Sequence, residues 1–205
     1  MISLLRRSLV PVALALVAGF AFAASAQDTQ RLRGTVESVQ GSTYTVKARN
    51  GDTVKLVLDE PPLVVAIVKA SMADLKPGMF VGATALPDAD GSLRAVEVHI
   101  FPEAMRGAGE GHRPWDLAPQ ATMTNANVET AVAGVSGRTL TLKYKDGEKT
   151  LQVTPQTVVV TYAPGDLAEI KPGTGLFVGA ARVAADGSLH TQRLSYGRDG
   201  LMPPM

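Results

Sequence analysis

The amino-acid sequence predicts an all-β protein in which two small antiparallel barrels follow one another along the chain. Three observations lead to this prediction. Five short blocks of sequence recur in the same order at a separation of 95 to 97 residues. Each copy contains short segments in which β-branched and aromatic residues alternate with polar ones. Turn-forming residues separate these segments about every 8 to 12 residues, a spacing typical of sandwiches and barrels.

Residues 1–26 have the composition of a cleaved secretory signal peptide. Arg6-Arg7 precedes a 14-residue apolar stretch, Leu9–Phe22, and Ala24-Ser25-Ala26 supplies an Ala-x-Ala cleavage site. This stretch is shorter than the roughly 20 residues that cross a hydrocarbon core, so we expect cleavage rather than the alternative, a retained membrane anchor. We therefore predict a periplasmic protein with a signal helix at its N-terminus and no stable membrane insertion after cleavage.

Charge and cysteine content exclude several classes of protein. Without the signal segment the chain carries 18 basic and 19 acidic residues, a formal charge of −1. Nucleic-acid-binding proteins rely on a basic surface that attracts phosphates, so we predict no nucleic-acid partner. The chain has no cysteine, and its fold must therefore depend on apolar burial without disulfides.

The repeat sets the predicted domain boundaries. The matching blocks are Val39–Lys47 with Val135–Lys143, Asn50-Gly51 with Asp146-Gly147, Leu75–Gly78 with Ile170–Gly173, Phe80–Ala83 with Phe177–Ala180, and Asp90–Leu93 with Asp186–Leu189. From them we predict a first barrel module at residues 33–101 and a second at 128–196. An ordered connector at 102–127 joins them, and a C-terminal tail follows at 197–205.

Each copy is predicted to hold about six short strands and at most one short helix. The turns Asn50-Gly51 and Asp146-Gly147 lie between alternating segments, which predicts two hairpins, the first with the positive φ angles of a type I′ turn. The next strands of the first copy are Val54–Leu58 and Val64–Lys69, and the Lys-Pro-Gly turn after them stops any helix.

The last strand of the first copy, Leu93–Phe101, has two distinct predicted faces. Alternation places Val96, Val98 and Ile100 on one face and the polar pair Glu97 and His99 on the other. His99 and His190 have no histidine at the equivalent position of the other copy. We therefore interpret both as ordinary strand or turn positions.

A small closed barrel with a short helix between its third and fourth strands is most like the oligonucleotide/oligosaccharide-binding (OB) type, and an open sandwich is the alternative. Arg33–Val36, Asn50-Gly51, Leu75–Gly78 and Asp90–Ala95 also resemble an uncharacterised family of secreted bacterial β-rich domains, present here as two tandem copies. The resemblance covers most of both copies, although the second lacks the opening Arg-Gly pair. It implies a barrel-like fold in an exported protein and supplies no catalytic residue.

The connector contains the single tryptophan of the chain, Trp115. A flexible linker does not need so large an apolar side chain, so we predict an ordered connector with Trp115 in a cleft between or beside the barrels. Loops on a rigid β scaffold commonly carry function. The candidate binding residues are Glu103, Arg106, Glu110, His112, Arg113, Trp115 and Asp116.

These observations favour a soluble, non-enzymatic periplasmic binding protein without a cofactor, whose partner is an unknown envelope protein or a small ligand. A metal-handling protein is the alternative, with Glu110, His112, Asp116 and Met105 as candidate ligands. The lack of cysteine and of paired histidines argues against it. A hydrolase acting on envelope polymers is a third hypothesis, but no general acid and base can be paired from the sequence.

Overall fold

The computed structural model describes residues 28–134 and 137–203, and the predicted signal peptide lies outside the described residues. The fold is all-β, as predicted, with 64% of residues in strands. The helices of the described residues are three 3-10 helices of three residues each, at Met72–Asp74, Glu103–Met105 and Leu167–Glu169. In these two ranges no helix combines the length and the apolar character that crossing a membrane requires.

Eleven strands form in the described residues. Those of the first copy are β1 (Thr29–Gln40), β2 (Thr43–Ala48), β3 (Thr53–Lys69), β4 (Phe80–Pro87) and β5 (Leu93–Ile100). The connector adds β6 (Gly111–Pro114). Those of the second copy are β7 (Thr122–Gly134), β8 (Gly137–Tyr144), β9 (Gly147–Pro164), β10 (Gly175–Val183) and β11 (Leu189–Gly197).

Both predicted hairpins form, with β2 pairing onto β3 and β8 onto β9. In the first turn φ is positive at Gly51 (+96°) but not at Asn50. The Asn50 side chain instead accepts a hydrogen bond of 3.1 Å from the backbone N–H of Asp52. The predicted type I′ turn, which needs positive φ at both central residues, is therefore wrong. Asn50 stabilises the turn through its side chain.

The third strand is longer than predicted. Val54–Leu58 and Val64–Lys69, predicted as separate strands, both belong to the 17-residue β3, so each copy has five strands rather than six. The two parts meet at Pro61-Pro62, where the pairing with β11 skips four residues of β3, from Leu58 to Leu63. Proline has no backbone N–H to donate, so it is tolerated where the ladder is interrupted.

Strand pairing closes two five-stranded barrels, and each takes strands from both copies. Barrel A consists of β1, β2 and β3 with β11 and β10, in that order, and β10 pairs back onto β1. Barrel B consists of β7, β8 and β9 with β5 and β4, and β4 pairs back onto β7. The expectation that residues 33–101 and 128–196 each close a barrel is therefore wrong, because the copies exchange their last two strands.

The exchange follows from the length of the third strands. At about 3.3 Å per residue, β3 extends roughly 55 Å, and its last part leaves barrel A to pair with β9 through Val65–Lys69. The end of β3 therefore lies beside barrel B, and β4 begins there. The exchanged strands also run parallel to their neighbours, since β11 pairs with β3 and β5 with β9 in parallel register. The barrels are therefore not purely antiparallel.

The two barrels are joined where equivalent positions of the two copies pair. β3 pairs with β9 in antiparallel register, and Ile67 lies opposite Tyr162. These residues occupy equivalent positions of the two copies, 95 residues apart. This pairing joins all eleven strands into one sheet, so the junction between the barrels is built from strands and not from a linker.

Each barrel is filled by apolar side chains at every second position of its strands, as alternation predicts. The core of barrel A includes Leu32, Val36, Val46, Leu56, Val178, Leu194 and Tyr196. The core of barrel B includes Val81, Ala83, Val98, Val128, Leu140, Leu142 and Leu151. A third, smaller cluster around Ile67, Met123 and Val160 lies at the junction.

Part of the predicted C-terminal tail folds back onto the protein. The Arg198 guanidinium donates to the Glu169 carboxylate at 2.7 and 2.8 Å. Leu201 packs against the apolar cluster at the junction. The described part of the tail therefore lies across the barrels.

Candidate functional site

The connector is tied to barrel B by hydrogen bonds. The Arg106 guanidinium donates to the Glu103 carboxylate, to Asn127 Oδ1, and to the carbonyl of Gly78 at 3.0 Å. These bonds join the turn after β5 to β7 and to the turn before β4. Two candidate binding residues, Glu103 and Arg106, are thus bonded within the chain.

The strand β6 extends barrel B beside β7 and orders the middle of the connector. His112 Nδ1 lies 2.8 Å from Thr124 Oγ1, and Arg113 donates to the carbonyl of Gly109 at 2.7 Å. A Glu110 carboxylate oxygen accepts a hydrogen bond of 3.0 Å from the backbone N–H of Lys145. These three candidate residues also make contacts that hold the connector in place.

Trp115 and Asp116 attach the connector to barrel A through arginines of β1. The Arg31 guanidinium carbon lies 4.1 Å from the Trp115 ring centroid, and those of Arg33 and Arg113 lie at 5.7 and 5.6 Å, within the range of cation–π attraction. Asp116 accepts two hydrogen bonds from Arg33, at 2.8 and 3.0 Å, and pairs with Arg31 at 2.8 Å. We call these five residues the arginine clasp.

The arginine clasp holds Asp116 in its charged form. Hydrogen bonds from Arg33 are the largest influence on Asp116, and those from Arg31 add to them; together they keep the pKa of this carboxyl well below its usual range. Trp115 thus packs against the apolar cluster at the junction and beside three arginines, two of which pair with Asp116.

The candidate metal ligands are not brought together. In the described part of the chain, no three histidine, aspartate or glutamate side chains form a group that could hold an ion. Asp116 is engaged by arginines, and Met105 lines an apolar groove described below. Burial, together with the cations Lys149 and Arg113, lowers the pKa of His112. Positive charge around this imidazole opposes the binding of a metal cation.

A polar pair is buried at the junction on β5. Glu97 is 1% exposed and His99 is 0% exposed, and His99 Nδ1 lies 3.5 Å from Glu97 Oε1, which is too long for a normal hydrogen bond. Burial raises the pKa of Glu97, while His99 and Arg33 act in the opposite direction. We interpret burial as the dominant effect, because no hydrogen bond of normal length reaches either carboxylate oxygen from a described residue.

The predicted faces of β5 are partly correct. Glu97 and His99 do lie on the face opposite the barrel core, whereas Val96 does not join Val98 inside. The pairing with β9 skips Val96, and Ala95 takes its place in the core. The polar face is buried at the junction instead of exposed to solvent, and His99 is a fully buried strand position.

Aromatic rings surround this pair. The His99 ring centroid lies 4.0 Å from that of Tyr162 on β9 and 5.4 Å from that of Phe101. Burial, and secondarily the charge of Glu97, raise the pKa of Tyr162 to about 12, so its hydroxyl is protonated at neutral pH. We call Glu97, His99, Phe101 and Tyr162 the junction cluster.

A groove opens between the barrels beside the junction cluster, with a volume of about 310 Å³. This junction groove is lined by Leu63, Val65, Met105, Tyr162, Phe177, Gly179, Arg193 and Ser195. Its walls come from β3, β9, β10 and β11, and the connector adds Met105. The volume lies at the lower end of the range for small-molecule sites, about 300 to 1,000 Å³.

A larger cavity, of about 610 Å³, lies at one end of barrel A beside Arg198 and Glu169. Two of its charged residues, Glu169 and Arg198, are bonded to each other, and Glu169 also accepts a hydrogen bond from Tyr196. Apolar walls with a few converging polar groups characterise ligand sites, and the junction groove has this composition. We therefore take the smaller groove as the candidate site.

Sequence reasoning placed the candidate site in the connector and missed the groove. One signal was present: the polar pair Glu97 and His99 falls at the same repeat positions as Arg193 and Ser195. Polar side chains on the outer faces of β5 and β11, the last strands of the two copies, indicate that these faces serve the same purpose in both copies. The surface that they form became a groove only because the strands of the two copies are exchanged.

Comparisons of this chain with known protein families, with curated proteins and with solved structures find no match. The residues of the junction groove and of the connector are therefore the basis for inferring its function.

Proposed function

We propose that this protein is a non-enzymatic binding module of the bacterial periplasm, and that the junction groove holds a small, largely apolar ligand. The observation that carries this proposal is the exposed apolar wall of the groove. Leu63 is 49% exposed although it lines a concave surface, and Phe177 and Val65 lie beside it. Covering such a surface with a ligand removes apolar area from water, which favours binding.

The groove is preformed. Its walls include β3, β10 and β11 of barrel A and β9 of barrel B, and pairing of β3 with β9 and β11 fixes their spacing. A site on paired strands loses little conformational entropy when a ligand binds. The connector supplies Met105, whose flexible thioether adapts to ligands of different shape. In this proposal the arginine clasp positions the connector and does not itself contact the ligand.

A binding function fits the junction better than catalysis. The carboxylate and imidazole of Glu97 and His99 are the pair that resembles acid–base machinery, and they are almost completely buried. A general acid or base must come within hydrogen-bond reach of a reacting group. Buried behind Tyr162, this pair is suited to holding the barrels together.

The neutral fluorophore N-phenyl-1-naphthylamine tests the proposal. We expect saturable fluorescence enhancement with the wild-type protein and at least about tenfold weaker binding by Gly179→Leu. A Cβ at Gly179 would meet Phe177 at an ordinary 3.8 Å, so the backbone accepts a side chain that fills the groove. The control, Ala180→Leu, adds the same side chain at an exposed neighbouring position outside the groove lining.

Thermal unfolding of both variants establishes that they are folded before binding is compared. Absence of saturable binding to the wild type would contradict the proposal. Equal binding by Gly179→Leu and Ala180→Leu would contradict it as well, because the probe would then sit elsewhere.

A further inference from the structure

The junction groove carries a net positive charge. Arg193 on β11 is the one charged residue among those that line it, and its side chain is exposed. The remaining walls are apolar apart from the hydroxyls of Tyr162 and Ser195. A ligand that fills the groove therefore meets a cation at one place and hydrocarbon or aromatic carbon elsewhere.

The Arg193 guanidinium is free to bind a ligand. Its backbone N–H donates to Thr191 Oγ1 at 3.1 Å. Across residues 28–134 and 137–203, however, no oxygen accepts a hydrogen bond from its side chain, and no carboxylate forms an ion pair with it. This sets Arg193 apart from Arg31 and Arg33, which are both bound to Asp116. A guanidinium next to an apolar wall offers paired donors to a carboxylate or sulfonate.

The hydroxyl groups and the buried acid are compatible with an anion. The Tyr162 hydroxyl is protonated at neutral pH and is available as a donor beside Arg193. Glu97 is the acidic side chain whose charge contributes to the raised pKa of Tyr162, and it is buried. Because burial favours the neutral form of Glu97, its repulsion of an anion in the groove is reduced.

From the free guanidinium and the apolar walls, we infer that the junction groove selects a small amphipathic anion. Its carboxylate or sulfonate contacts Arg193, and its aromatic or short aliphatic body packs between Leu63 and Phe177. This inference rests on the proposed function, since it names the ligand class of the same groove. The volume of about 310 Å³ limits the body to a compact group of two or three rings.

Two probes that share their ring system test the inference. 8-Anilinonaphthalene-1-sulfonate carries a sulfonate, and N-phenyl-1-naphthylamine is its uncharged counterpart. We expect Arg193→Gln to weaken binding of the sulfonate about fivefold, as for an exposed ion pair, and to leave the uncharged probe unchanged. Arg193→Lys should retain part of the affinity for the sulfonate because it keeps the charge.

Controls separate the groove from other sites. Lys76→Gln removes one positive charge from an exposed turn outside the groove and should leave both probes unaffected. Gly179→Leu should block the sulfonate as it blocks the uncharged probe. If Arg193→Gln changes neither probe or both equally, selection of an anion is refuted while the groove remains a binding site. If the wild type binds neither probe, the proposed function itself fails.

Discussion

Glu97 places a carboxyl group where water does not reach it. An ionised carboxylate is costly to bury without hydrogen bonds, and His99 Nδ1 lies 3.5 Å from the Glu97 carboxylate. Burial accordingly raises its pKa above the ordinary value of 4.5. A buried polar group at a junction between barrels restricts how they pack, because any other arrangement leaves that group beside a less suitable neighbour.

The raised pKa of Glu97 makes stability depend on pH. The native state binds the proton more tightly than the unfolded chain, so its contribution is complete below about pH 4.5 and is lost as the pH rises through the native pKa. We expect Glu97→Gln, which keeps the shape and removes the charge, to stabilise the protein by about 1 kcal/mol at pH 7.5 and to have little effect at pH 4. Urea unfolding at the two pH values measures this difference.

The exposed residue Glu37 provides the control, since Glu37→Gln removes the same charge outside the junction. A loss of stability in Glu97→Gln at pH 7.5 would show that Glu97 is ionised and stabilised by Arg33 and His99. That result would contradict our interpretation of burial as the dominant effect.

At the scale of elements, the connector acts as a structural strap with β6 at its centre. It runs from β5, pairs with β7 and crosses to β1, where the arginine clasp holds it. Each contact is modest alone, because exposed ion pairs contribute about 0 to 1 kcal/mol. The clasp nevertheless fixes the path of the connector that places Met105 in the groove wall.

Asp116→Asn is expected to loosen the connector at neutral pH. The carboxylate is 47% exposed, so solvent screening limits the loss to about 0.5 to 1 kcal/mol. Because the pKa of Asp116 is lowered in the folded protein, its contribution is present above about pH 3.8 and declines at lower pH. The emission of Trp115, the single tryptophan, should shift to longer wavelength as its ring becomes more hydrated.

Chemical unfolding and tryptophan emission spectra check this prediction. Asp146→Asn changes the same side chain in an exposed hairpin turn and should leave both measurements unchanged. An emission spectrum of Asp116→Asn identical to that of the wild type would show that the clasp does not position the connector.

The elements that could be predicted from sequence are those determined by residues close together in the chain. Alternation located the hairpins around Asn50-Gly51 and Asp146-Gly147, and it placed Glu97 and His99 outside the core. It did not reveal the continuous β3, because Pro61-Pro62 has the appearance of a strand end. It also did not show that the outer face of β5 is covered by the other barrel. Alternation assigns residues to the two faces of a strand, but it carries no information about which part of the fold packs on each face.

At the scale of the whole molecule, strand exchange turns two copies of one module into an interlocked unit. The hairpin of β4 and β5 completes barrel B, and the hairpin of β10 and β11 completes barrel A. The sequence could not show which barrel the last two strands of each copy would join. The two copies are similar in sequence, so either pairing satisfies the same alternation of apolar and polar residues. The candidate site depends on this choice, since the groove combines β3 of the first copy with β9, β10 and β11 of the second.

Cutting the connector provides the most direct test of this exchange. Residues 106–110 are exposed, so a protease recognition sequence can be inserted between Gly107 and Ala108 and cleaved in the folded protein. The cut separates β1–β5 from β6–β11 in sequence, although each barrel still needs strands from both fragments. Size-exclusion chromatography under native conditions should show one complex of unchanged size that unfolds in a single transition. Two fragments that separate and remain folded would show that each copy closes its own barrel, which would contradict the exchange and the groove built from it.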